Sequence, residues 1–222
     1  MPQRKLWYLH LMNTIKEKTW VYIDSFNLYY GALNPRGQKT LGLKWLDLES
    51  WLKKIFPRND IQKIKLFTAR VSGKYDPTKP VRQDTYFRAL RTLKTIEIIE
   101  GTFLFRKKRV HITKDVDLYA MIPEEKGTDV NLAAHLVNDG HKKCFQTAIV
   151  VSNDSDLAEA VRIVTPEVRL KVGILNPYPT FTNDLIKHST LKQLIRMGAI
   201  LTSQFPAILT DSVGQFTKPI SW

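Results

Sequence analysis

Four aspartates stand where apolar runs of this chain stop or helices begin. Asp24 ends Val21-Tyr22-Ile23, Asp154 and Asp156 follow the run 147–151, and Asp129 opens the segment TDVNLAAHL. Brought to one place, four carboxylates repel one another strongly unless a cation enters among them. Hard oxygen donors select Mg²⁺ or Mn²⁺, with several coordination positions left to water and phosphate oxygens. Such an ion offsets the charge of a phosphodiester and acidifies a bound water, which is the chemistry of metal-dependent hydrolysis. Each acid also has a plainer use. Asp154 can cap the helix after it, and Asp129 suits a helix first turn.

Whether the four meet depends on the elements that carry them. Apolar runs over 20–24, 61–71, 96–105, 147–152 and 168–176 predict strands. Helical period fits 45–56, 80–95, 128–138, 155–165 and 183–196. In the third helix Val130, Ala133, Ala134 and Val137 mark an apolar stripe, with Asp129 on the side of Leu132 and Leu136; in the fourth, Leu157, Ala160, Val161 and Val164 do so. Alternating strands and helices predict an α/β layer fold with right-handed crossovers. Ligands of such sheets gather outside the strands' carboxyl ends, near the point where strand order reverses. With the first and fourth strands as neighbours, the four acids share one rim. The stretch 106–126 reads as a basic strand or hairpin and a loop. Residues 1–19 read as an N-terminal extension, with Met1 and Met12 as alternative starts. The domain spans 20–200, and the turn-rich 201–222 packs as an arm on the domain or on a partner, so a homo-oligomer stays open.

The chain has 222 residues, 43% of them hydrophobic, and a formal net charge of +13. That surplus points to an anionic partner, nucleic acid ahead of an acidic membrane surface. Arg106, Lys107, Lys108 and Arg109 form the densest basic run; with Arg82, Arg88, Arg91 and Lys94 they can line a groove for an RNA backbone. Cys144 is the single cysteine, which excludes an internal disulfide and a cysteine zinc site and fits a reducing, cytoplasmic setting. No run approaches the ~20 apolar residues of a membrane span.

Together VYIDSFNLYYG (21–31), EKGTDVNLAAHL (125–136) and IVVSNDSDLAEAV (149–161) resemble the NYN domain family, a branch of the PIN-like metal-dependent nucleases. The family's opening motif reads I-D-G-x-N-L, and Ser25 stands here for its glycine. The resemblance implies a PIN-like three-layer α/β/α sandwich with a mainly parallel sheet ordered 3-2-1-4-5. It also implies RNA cleavage to 5′-phosphate and 3′-hydroxyl ends. Asp24, Asp129, Asp154 and Asp156 match its metal-binding acids, and Asn27 its motif asparagine. Around them, Asn27 can bond a metal ligand or a substrate phosphate, Ser152 and Asn153 can position the acidic loop, and Lys126 can meet a phosphate at a helix N-terminus. The expectation is a Mg²⁺- or Mn²⁺-dependent ribonuclease, with a catalytically inactive RNA-binding module of the same fold as the alternative.

Overall fold

The computed structural model describes residues 16–34, 42–74, 76–113 and 116–222. In chain order, Glu17–Asp24 forms β1, and residues 25–33 form α1, an α turn Ser25–Leu28 running into a π turn Tyr29–Leu33. Then come Leu48–Ile55 (α2), Asn59–Ala69 (β2), Thr78–Leu90 (α3), Ile96–Thr113 (β3), Val116–Lys126 (β4) and Thr128–His141 (α4). The second half adds Thr147–Val151 (β5), residues 155–167 (α5), Lys171–Asn176 (β6), Asn183–Ile186 (α6) and Leu191–Leu194 (β7). Met197–Leu201 (α7), Ile208–Asp211 (β8) and Gly214–Thr217 (β9) complete it.

The main sheet runs β4-β3-β2-β1-β5-β6-β7. Every neighbouring pair is parallel except the hairpin β3–β4. Counting the parallel strands alone gives 3-2-1-4-5-6, the expected order with one more edge strand. The five residues of β5 are all buried, because a parallel strand under helices on both faces has no solvent side. Alternate residues of β1 feed two cores. Val21 and Ile23 join Trp45, Trp51 and Phe87 on the side of α1 to α3, while Tyr22 joins Leu132, Leu136 and Val161 under α4 and α5. Three layers result. Within the second core, Lys65 Nζ lies 2.6 Å from Asp139 Oδ2, and the Tyr22 hydroxyl donates to the same oxygen at 2.9 Å. Both ionic side chains are under 10% exposed, so removing either partner strands a buried charge.

Three sequence readings need correction. The stripe of Val130 is only partly inward: Val130 is 72% exposed and Ala134 is exposed, Ala133 and Val137 pack at the core's margin, and Leu132 and Leu136 are buried. The larger leucines remove more apolar area from water and take the inward face. The helix expected over 183–196 stops at Ile186, and 191–194 is instead the edge strand β7. There Thr190 N donates to Val172 O at 2.8 Å and Ile195 N to Asn176 O at 3.0 Å, satisfying carbonyls that a helix would leave to solvent. The helix expected to reach 95 ends at Leu90.

Residues 201–222 carry the hairpin β8–β9. Arg88 fastens the hairpin through both oxygens of Asp211, at 2.5 and 2.7 Å. The final Trp222 packs edge-on against Trp45 and Tyr86. No helix among the described residues is long and apolar enough to cross a membrane.

Candidate functional site

Strand register puts Ile23 of β1 beside Val151 of β5. The residues that follow, Asp24 and Ser152, therefore stand at adjacent strand ends where the strand order reverses. Asp24 is 2% exposed and caps the N-terminus of α1, so the chain passes from strand to helix without a loop. Its Oδ1 accepts from the backbone N–H of Phe26 and of Asn27, each at 3.0 Å. Its Oδ2 accepts from Asn27 Nδ2 at 2.6 Å and from Ser152 Oγ at 3.2 Å. Burial pushes this carboxyl above the usual range, against the pull of the bonds from Asn27, Ser152 and Phe26.

A chain of short polar side chains extends outward from Asp24. Asn27 Oδ1 accepts from Asn153 N at 3.1 Å, and Ser152 Oγ accepts from Asp154 N at 3.1 Å. Asn153 in turn accepts from Thr182 N at 2.9 Å and donates to Thr180 O at 3.1 Å. Asn176, fully buried at the end of β6, donates to the same Thr180 carbonyl at 2.7 Å. The ends of β1, β5 and β6 are thus tied together. Asn27, Ser152 and Asn153 hold the acidic loop through these bonds. Sequence reasoning misses Asn176, Thr180 and Thr182, although Asn176 repeats the signal of a polar residue closing an apolar run. The motif's last residue, Gly31, has its own reason. A Cβ there would sit 2.8 Å from Pro177 Cβ and 3.0 Å from its carbonyl, so α1 approaches the β6 loop only without a side chain.

The acids divide by setting. Asp154 caps α5, its Oδ1 accepting from Asp156 N at 3.0 Å, and Asp156 is exposed. Asp129 lies half-buried in the first turn of α4, after Gly127, whose φ of +94° is the left-handed turn from β4 into the helix. No cation pairs with Asp24, Asp154 or Asp156 among the described residues. Nor do three acidic, histidine or cysteine side chains there gather closely enough to cage a metal ion. The donor set suits an ion held by one or two carboxylates and completed by water and phosphate, the usual habit of Mg²⁺. Asp24 would join it by yielding a bond from Asn27 or Ser152, or through water.

Beyond Gly101, the last residue of β3 paired with β2, β3 pairs only with β4. This two-stranded arm leaves the sheet at the carboxyl edge, where Asp24 stands. At about 3.3 Å per residue, 102–113 reach about 36 Å. Lys107 and Arg109 are exposed on it, Lys107 Nζ lying 4.6 Å from the Tyr119 ring centroid. The side chains of Arg106 and Lys108 lie outside the described residues. Lys126 ends the arm half-buried, two residues before α4. Of the other basic residues expected to line a groove, Arg82 pairs with Asp76 at 2.8 Å and Arg88 with Asp211, while Arg91 and Lys94 are exposed.

Beside the motif, between α1, β2 and α3, lies a cavity of about 510 Å³. Phe26, Tyr29 and Tyr30 of α1, Tyr86 and Phe87 of α3, and Trp222 give it aromatic walls. No motif announces it, because its lining comes from segments scattered from residue 25 to residue 222.

The parallel sheet, its order and the acid at the β1 end define a PIN-like α/β protein. The sequence profile of the NYN domain matches residues 18–192, and the chain belongs to that family. It is 30% identical to the 6-hydroxy-3-succinoylpyridine 3-monooxygenase of Pseudomonas putida, over 92% of this chain and 75% of that one. The crystal structure of a protein of unknown function from Vibrio parahaemolyticus superposes with a TM-score of 0.55 at 18% identity, covering 82% of this chain and 94% of the other, and shares the fold.

Proposed function

We propose that this chain is a divalent-metal-dependent ribonuclease working at the rim formed by the carboxyl ends of β1 and β5. One observation carries the reading: three acids without a cationic partner among the described residues follow two adjacent strands, at the edge from which a basic arm departs. An ion there would be held by Asp154 with Asp24 or Asp156 and, following the family pattern, Asp129. When bound it offsets phosphodiester charge and acidifies a water. Lys107 and Arg109, with Arg106 and Lys108, would hold the RNA backbone. Lys126 and the N-terminal amides of α4 would hold a phosphate. Asn27 and Asn153 keep the acidic loop in place. The test is incubation of the full chain with single-stranded and hairpin RNA in Mn²⁺, Mg²⁺ or chelator, beside Asp154→Asn. Cleavage that needs metal and disappears in the variant, with binding kept, supports the reading. Intact RNA under every metal overturns it in favour of the inactive binding module.

A second reading is chemistry on a small aromatic compound, as the Pseudomonas relative is named for a pyridine bearing a hydroxyl and a succinoyl chain. The cavity beside α1 is the observation that favours it. A monooxygenase puts one atom of O₂ into its substrate and reduces the other to water with two electrons from a donor. Oxygen uptake and an oxygenated product from an acylated hydroxypyridine, with a reduced nicotinamide as donor, support this reading; unchanged compound and oxygen reject it.

A further inference from the structure

A threonine of the sheet stands in the cavity wall. Thr68 on β2 lines it and is 3% exposed as a residue. Neighbouring polar groups in the lining are occupied. Gln83 donates to Ala69 O at 2.9 Å and accepts from Val71 N at 3.0 Å, and the Tyr86 hydroxyl donates to Leu46 O at 2.7 Å. The Thr68 hydroxyl can both donate and accept, so it can bond an occupant that places a polar atom at this point.

Charge narrows the occupant further. Lys44, Lys79 and Arg82 line the cavity against one acid, Asp76. The guanidinium of Arg82 is spent on Asp76 and on the Thr78 hydroxyl. Lys44 is half-buried, its Nζ 5.5 Å from the Tyr29 ring centroid, and among the described residues no carboxylate pairs with it. Lys79 is exposed to solvent, which leaves Lys44 as the half-buried point charge beside the aromatic walls, and such a charge suits a ring that carries one carboxylate. A phosphate calls for a free guanidinium fork or converging amides, and Arg82 is not free to supply the fork.

We infer that this cavity binds a one- or two-ring aromatic carboxylate, its carboxylate on Lys44, its ring among Phe26, Tyr29 and Phe87, and a ring substituent on Thr68. Treating that molecule as a substrate rests on the second reading above; its binding rests on the cavity alone.

Titration of the full chain with pyridine-3-carboxylate, its neutral amide and uridine monophosphate, followed by tryptophan fluorescence and calorimetry, tests the inference. The carboxylate should bind about tenfold or more tightly than the amide, the worth of a charge-assisted bond. Lys44→Gln should erase that difference, and Thr68→Val should weaken a 6-hydroxylated carboxylate more than the parent. Melting curves identify any variant that does not fold, and Lys44→Met then replaces it. No binding, equal binding of acid and amide, or preference for the nucleotide overturns the inference. Binding with no oxygenation upholds the site and rejects the second reading.

Discussion

Removing the Asp24 carboxylate tests the rim's construction. In Asp24→Ala the N–H groups of Phe26 and Asn27, the Asn27 amide and the Ser152 hydroxyl all lose their acceptor. A buried donor left unmade costs about 1–3 kcal/mol, and a lost helix cap about 1 kcal/mol. Water can reach the two backbone groups more readily than Ser152, which is fully buried. With about two donors left dry, and the penalty of a buried charge relieved, the expected net loss is about 2–4 kcal/mol. For a domain of this size that lowers Tm by roughly 5–15 °C. Asp24→Asn keeps one acceptor oxygen for the two backbone groups but turns an amide toward the Asn27 amide, so the expected loss is about 1–2 kcal/mol.

The pH dependence has a definite sign. Burial raises this carboxyl in the folded state, so the folded protein binds the proton more tightly than the unfolded chain. Wild type therefore gains stability as pH falls through the raised folded value, and the gain is complete near the ordinary value of ~3.9. Neither variant has this gain, so the gap between wild type and Asp24→Ala widens as pH falls toward ~3.9. Urea melts at a series of pH values from neutral to acid measure it. An alanine variant as stable as wild type refutes the capping role, and a gap that narrows toward acid refutes the upward shift by burial.

Other perturbations reach different parts of the structure. Gly31→Ala should cost about 1–3 kcal/mol by forcing α1 off Pro177, read as a lower urea midpoint with an unchanged slope. The Arg88 guanidinium holds the Asp211 carboxyl below its usual range, so the pair's contribution is present above pH ~3.9 and lost as pH falls through the lower folded value. Trp222 fluorescence should report the C-terminal segment loosening over that acid window in wild type, and already at neutral pH in Arg88→Ala. Replacing Lys107 and Arg109 together by glutamine should weaken single-stranded RNA binding. Its log–log salt slope should shrink by about 0.7 for each phosphate no longer neutralised, up to about 1.4 for the pair. An unchanged slope would remove the arm from the RNA interface.

What was legible in the sequence follows from how locally each feature is encoded. The run 147–151 has no polar face, and that alone announces a parallel strand covered on both sides. The neighbouring placement of β1 and β5 came from the family resemblance, and with it the meeting of Asp24 and Ser152. The capping role of Asp24 escaped because residues 25–33 are a short helix that passes from α to π hydrogen bonding, too brief for periodicity to mark. Val130 misled because alanine and valine spacing counted equally with that of Leu132 and Leu136, although side-chain area decides which stripe turns inward. Leu191–Leu194 became a strand because the open edge of β6 accepted it, a tertiary demand absent from the segment itself. The cavity, with Thr68 in its wall, exists only once α1, β2, α3 and the C-terminus are assembled.

The most direct measurement for the proposed activity is the chemistry of the RNA ends. With Mn²⁺ present, mass spectrometry of the fragments should find 5′-phosphate and 3′-hydroxyl termini, as attack by a metal-activated water leaves them. Fragments ending in a 2′,3′-cyclic phosphate, or RNA that stays intact, would contradict metal-dependent hydrolysis at this rim.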